Sequence, residues 1–197
     1  MIDMTKGLYQ DLNNDNKKDV ADKFGLISMN VNIDAFFTGA DMVSLRKDSD
    51  NIPVLSNDFT SDKIHTLITK LAALYNDSND SLQNSSTGIR DIFVEGRSLF
   101  ITDRLFIAET KLSASDIDYG VLPNPKYDEN QTNYVSNVGY PYTMYAVSLD
   151  AANPDMVAAT LECMASEGYR RVTPALFDES MKVRYSSEEI DAQMFDI

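Results

Sequence analysis

Asp11-Leu12-Asn13-Asn14-Asp15-Asn16-Lys17-Lys18-Asp19-Val20-Ala21-Asp22 runs directly into Lys23-Phe24-Gly25-Leu26-Ile27-Ser28, and this junction decides how the chain is read. Oxygen-bearing groups recur along the first twelve residues at the spacing of an EF-hand-type calcium loop. Asp11, Asn13 and Asp15 supply side-chain oxygens, Lys17 its backbone carbonyl, Asp19 a direct or water-mediated contact, and Asp22 the closing carboxylate. Where such loops bend most sharply they favour glycine. Asn16 stands there, and asparagine is the next best residue at positive φ. Asp22 is one methylene shorter than the usual closing glutamate, so both departures predict weakened rather than lost affinity. An EF-hand would continue into a second helix. Here an apolar strand, Phe24–Ser28, follows, so the loop reads as a structural staple into an α/β fold and not as a sensor.

Outward from that junction, strand-like and helix-like runs alternate. Thr60-Ser61-Asp62 opens a helix whose apolar positions Ile64, Leu67, Ile68, Leu71, Leu74 and Tyr75 follow the i, i+3, i+4, i+7 spacing. Asn76 to Thr87 is rich in Ser, Asn and Asp and reads as an exposed loop. Ile89, Ile92 and Phe93 then predict a short helix ending near Gly96, and Ser98–Ile101 a strand. Tyr119–Leu122 reads as a strand cut off by Pro123 and Pro125. Met144–Leu149 is the clearest strand pattern. After it, Asn153 as N-cap, Pro154 at the first helical position and Gly168 as a left-handed cap bound a helix. Val157, Thr160, Leu161, Met164 and Ala165 form its apolar side, and Cys163 is expected in the core. Thr173-Pro174 signals a further helix, and Ser186 with Glu189 forms a capping box for the last one, which runs on to the end of the chain.

Seventeen basic residues against thirty-one acidic ones give a net charge of −14. Such a surface repels phosphate backbones and anionic lipid, which argues against nucleic-acid and membrane-surface partners. A single cysteine excludes an internal disulfide. With His65 as the only histidine, Cys/His metal centres are excluded as well. No apolar run approaches the ~18 residues of a membrane span. Met1–Lys6 carries an acid and no apolar core, and is not read as a signal peptide.

Three segments together resemble the extracellular solute-binding proteins of family 1, which have the type II periplasmic-binding fold. They are Leu8–Leu26 through the loop, Gly96-Arg97-Ser98-Leu99-Phe100, and Tyr119-Gly120-Val121-Leu122-Pro123-Asn124-Pro125-Lys126-Tyr127-Asp128-Glu129. The resemblance covers nearly the whole chain. It implies one α/β lobe, residues 1–197, with a mixed sheet flanked by helices, truncated from a protein about twice as long whose two lobes hinge around a ligand. It further implies non-catalytic capture of a sugar or oligosaccharide for an ABC permease. The location would be extracytoplasmic, in the periplasm or on the cell surface as a lipoprotein whose lipid anchor lies outside the fragment. Sugar sites need flat aromatic faces and planar polar groups. The candidates are Tyr140 and Tyr142 in Gly139–Thr143, where the family presents a cleft loop, then Phe36, Phe37 and Arg104, each of which serves equally well in packing.

Two other functions compete. A glycosidase would need paired carboxylates, which thirty-one acids always seem to offer. However, His65 lies on the polar side of its helix, and there is no phosphate-cradling glycine-rich loop. A calcium-dependent carbohydrate-active or adhesion module of the bacterial cell surface would favour a second loop of the Asp11–Asp22 kind. None occurs.

Overall fold

Strand β1 (Phe24–Met29) forms where the apolar run after the loop requires it. The structure is a computed structural model and describes residues 1–86, 88–137, 143–186 and 188–195. Its contacts divide the chain into two compact units, residues 1–117 with 123–137, and residues 118–122 with 138–197.

In the first unit the order is α1 (Ile2–Thr5), β1, α2 (Asp34–Gly39), β2 (Leu45–Lys47), β3 (Pro53–Leu55), α3 (Asp62–Tyr75), β4 (Ser81–Asn84), α4 (Ile89–Val94), β5 (Ser98–Thr102) and α5 (Phe106–Thr110). The sheet order is β4-β1-β5, and both pairings are parallel. Parallel neighbours need crossovers, and helices α2, α3 and α4 provide them. The expected α/β class therefore holds, with a sheet that is parallel throughout where a mixed one was expected. Strands β2 and β3 form a separate antiparallel hairpin.

Each sheet face carries an in-register apolar row. Ile27 of β1 lies level with Leu82 of β4 and Ile101 of β5, and this row packs with Ile89 and Ile92 of α4. Leu26 lies level with Phe100, on the face covered by Phe36 of α2 and Leu74 and Tyr75 of α3. Full burial of Leu26 and Ile27 contributes roughly 1.5–3 kcal/mol each. Helix α3 starts as expected: the Ser61 side chain accepts from the Ile64 amide at 3.4 Å. Ile64, Leu67, Leu74 and Tyr75 are buried, while Ile68 lies at the rim of the stripe and is exposed. His65 is exposed, as expected.

Two strand expectations and one loop expectation fail. Strand β4 lies inside the stretch read as a loop, because β1 supplies the ladder partners that its sequence does not advertise. Residues 119–122 and 144–149 form no strand. Met144 and Leu149 are exposed, and among the described residues no ladder is offered to them.

In the second unit, α6 (Pro154–Glu167) is capped as read, with the Asn153 side chain accepting from the Met156 amide at 3.1 Å. Its apolar side is not buried, and Cys163, expected in the core, is exposed. Gly168 has φ −57°, so it does not end the helix, which continues as π-helical segments Gly168–Val172 and Ala175–Arg184. Pro174 lacks the N–H that an α-turn would use there, which favours a widened helix. Helix α7 (Glu189–Met194) starts without the expected capping box, because the Ser186 hydroxyl donates to the Lys182 carbonyl instead. Tyr119 donates from its hydroxyl to Tyr185 O at 2.7 Å, and Val121 N donates to the buried Asp191 carboxylate at 3.0 Å. No described helix is long and apolar enough to cross a membrane.

The tightest steric demand falls on β1 itself. A Cβ added at Gly25 would stand 2.5 Å from Thr5 Cβ and 2.7 Å from Thr5 O, on the buried side of α1. Gly25→Ala is expected to cost about 1–3 kcal/mol in urea denaturation. Gly88→Ala meets only the Ser86 hydroxyl at 3.6 Å and should stay within ~0.5 kcal/mol of the parent. Equal stability of the two variants would refute the packing of α1 on β1.

Candidate functional site

Two polar constructions stand out in the first unit, one at each end of β1. At the entry, residues 11–22 fold on short-range hydrogen bonds. The Asp11 carboxylate accepts from Asn14 N at 2.7 Å and from Asn16 N at 2.9 Å. Asn13 accepts from Asp15 N, Asp15 from Lys17 N and Asp19 from Ala21 N. Asn14 and Asn16 take φ of 59° and 58°, the left-handed bend anticipated at Asn16. Asp22 is fully buried: Oδ1 accepts from Leu12 N, and Oδ2 accepts from Asp19 N while facing the Tyr9 hydroxyl. That hydroxyl also faces Lys17 O at 3.3 Å, so its one proton serves one acceptor at a time.

Long side chains tie the loop to the body. Lys18 Nζ donates to Ser78 O at 2.9 Å and Tyr75 O at 3.4 Å, just past α3. Burial lowers the Lys18 pKa, and Asp80 offsets part of that. Arg97 Nη1 donates to Val20 O at 3.0 Å and to Asp22 O at 2.5 Å. Hard oxygen donors of these types fit calcium, and each singly bonded oxygen keeps a lone pair. Among the described residues, however, no three His, Cys, Asp or Glu side chains are gathered as a metal-holding group.

At the exit of β1, the order of travel across the sheet reverses. The chain passes from β1 to β4 on one side, then back over β1 to β5 on the other. Ligands of open α/β sheets bind outside the carboxyl ends of the strands at such a point. Asn30 Nδ2 donates to Ser85 Oγ beyond β4 at 2.8 Å. Asn32, also just past β1, donates to Thr102 O at 3.0 Å and Asp103 Oδ1 at 3.3 Å, past β5. Arg90 clamps Asp103 with two bonds, Nε to Oδ2 at 2.5 Å and Nη2 to Oδ1 at 3.0 Å. The Asp103 side chain is only 2% exposed. Its hydrogen bond, and then its charge, raise the Arg90 pKa against the opposing effect of burial.

Beneath this edge lies Tyr75, 7% exposed, with a hydroxyl that makes no hydrogen bond. Burial pushes its pKa up to about 12. Of the aromatics expected to face a ligand, Phe36 is buried edge-on against Tyr75, so its ring belongs to the core. Phe37 packs on Phe59 and on the α2–α3 cluster. Arg104 is at the exit edge and exposed, with its backbone N–H on Asp103 Oδ1 at 2.7 Å and its guanidinium 6.0 Å from the Phe106 ring. Tyr140 and Tyr142 lie outside the described residues.

Asn30, Asn32, Arg90 and Asp103 escaped the sequence reading. An asparagine pair directly after a buried strand could have disclosed Asn30 and Asn32; nothing local marks Arg90 and Asp103. Comparison with protein-family models, with curated proteins and with solved structures found no match.

Breaking one side of a buried ion pair leaves the other charge stranded. Asp103→Ala is therefore expected to cost about 3–5 kcal/mol, and Arg90→Met with Asp103→Leu to recover most of it. Urea denaturation of the three proteins checks this; an Asp103→Ala protein as stable as the parent would show that the clamp does not form.

Proposed function

We propose that the chain holds a small polar solute, a sugar or oligosaccharide, and releases it unchanged, as part of an extracytoplasmic solute-binding protein serving an ABC permease. The observation that carries this reading is the exit edge between β1 and β5, where planar polar groups converge at the reversal point of a parallel sheet. The exposed Arg104 guanidinium and the Asn30 amide are the groups placed to meet hydroxyls. A non-catalytic role is supported by the state of Asp103. Both of its oxygens are engaged by Arg90, which suits a fixed scaffold. The resemblance of the Leu8–Leu26, Gly96–Phe100 and Tyr119–Glu129 segments to family 1 solute-binding proteins supports the same reading, and it alone suggests the permease and the extracytoplasmic location.

The reading includes a structural calcium ion at residues 11–22, held by oxygens of Asp11, Asn13, Asp15, Lys17, Asp19 and Asp22. The ion would lock an entry loop whose ties already run to α3 and β5. A calcium-dependent adhesion or carbohydrate-active module is the second reading; turnover of a glycoside would favour a carbohydrate-active enzyme, and a second calcium loop would favour an adhesion module.

Calorimetric titration with neutral mono- and oligosaccharides should give saturable binding with no release of new reducing ends. Arg104→Ala should weaken that binding about tenfold, the worth of one charge-assisted hydrogen bond. Hydrolysis of any glycoside, or no heat across the panel, counts against the proposal. Calcium at a hundredfold excess over its dissociation constant should stabilise the fold by about 2.7 kcal/mol relative to chelator. Asp11→Ala with Asp15→Ala should abolish that gain, and identical melting curves with calcium and with chelator would remove the metal from the reading.

A further inference from the structure

The second unit holds a cavity of about 510 Å³ lined by Tyr169, Arg170, Thr173, Pro174, Phe177, Asp178, Lys182 and Phe195. Its construction follows from spacing. Along the π-helical run, Tyr169, Thr173 and Phe177 recur every fourth residue, and Arg170, Pro174, Asp178 and Lys182 form the adjacent row in the same way. Residues four or five apart are neighbours on so wide a helix, so an aromatic row lies beside a charged one. Phe195, just past α7, adds a third ring. Among the described residues none of these rings stacks on another ring or lies under a cation, and Tyr169 is 77% exposed. Their faces are available.

The charge count is uneven. Glu167 serves two guanidinium groups, with Arg170 Nη2 and Arg171 Nε each 2.7 Å from its carboxylate. Among the described residues, one carboxylate thus faces two guanidinium groups and cannot neutralise both. Lys182 is paired with Asp178 at 3.3 Å. Arg170 spends Nε on Ser166 O and Nη2 on Glu167, which leaves Nη1 as a donor. In a chain of net charge −14, a cavity that sets a guanidinium donor beside open ring faces favours an anionic ring. With Nη1 as its open nitrogen, Arg170 suits one carboxylate better than a dianion such as a phosphate monoester.

From these observations we infer that the cavity is a binding site for a ring-bearing monocarboxylate, with the flat face of the ring against Tyr169 and Phe177 and the carboxylate on Arg170. A sugar acid and an aromatic acid share that chemistry. The site uses residues of the second unit alone and does not depend on the reading of the sheet edge.

The test is titration calorimetry of the whole chain with galacturonate and with benzoate, each beside its neutral counterpart, galactose or benzyl alcohol. At least one acid should saturate and bind about tenfold more tightly than its counterpart. Galacturonate alone identifies a sugar acid, benzoate alone an aromatic acid, and both together the shared chemistry. Arg170→Gln and Tyr169→Ala, at exposed positions that leave the fold intact by circular dichroism, should each weaken the acid about tenfold. Tyr169→Ala should leave neutral-sugar binding that Arg104→Ala weakens as it was, so failure of one site is distinguishable from failure of the other. Absence of saturation by both acids, neutral rings binding as well as acids, or binding untouched by both variants would overturn the assignment.

Discussion

Strand β1 is enclosed on every side. It is hydrogen-bonded along both edges, covered by α4 on one face and by α2 and α3 on the other, and crossed near its start by α1. A strand so placed has no solvent-facing position at which to hide a polar or bulky side chain. Phe24, Leu26 and Ile27 answer that with apolar volume. Gly25 answers it by having no Cβ, and Ser28 by turning its hydroxyl onto the carbonyl of Met29 at 3.0 Å. The polar chemistry of the first unit is consequently pushed to the two ends of this strand, where the backbone first regains freedom.

That enclosure also explains which parts of the fold were legible in the sequence. Phe24–Ser28 and Ser98–Ile101 could be read because burial demands apolar runs, and α3 because its stripe repeats at helical spacing. Strand β4 could not. Ser81-Leu82-Gln83-Asn84 has one apolar side chain, and its conformation is imposed by the amides and carbonyls of β1. Met144–Leu149 errs in the opposite direction, with a strand-like pattern and no ladder partner among the described residues. Strand propensity reports a fit to a half-buried surface, and such a surface must be supplied by the rest of the chain.

The two ends of β1 differ in the same way. In the entry loop most side-chain bonds join residues two to five apart, so the spacing of Asp and Asn discloses them directly. Its ties to the body, from Lys18 to the end of α3 and from Arg97 to Val20, span 57 to 77 residues and leave no local trace. At the exit edge the two asparagines make such distant pairs, with Asn32 meeting Thr102 across 70 residues, while the Arg90–Asp103 clamp spans 13. Phe36 shows the converse hazard: an aromatic in a promising loop went to the core because α2 must cover Leu26.

At the exit edge, rigidity and availability are divided between neighbouring residues. Asp103 is held by Arg90, Asn32 and the Arg104 amide together, so its carboxylate is fixed in place. Arg104, one residue further on, has its backbone fixed by that same carboxylate and its guanidinium exposed. A donor mounted on a fixed backbone loses less conformational freedom on binding than one on a mobile loop, which is how a reversible binder gains affinity without a large contact area. Asp103, which is fixed, and Arg104, whose guanidinium is exposed, are thus different residues. Under the proposed reading, that division lets a fold of so few strands hold a ligand and leave it unaltered.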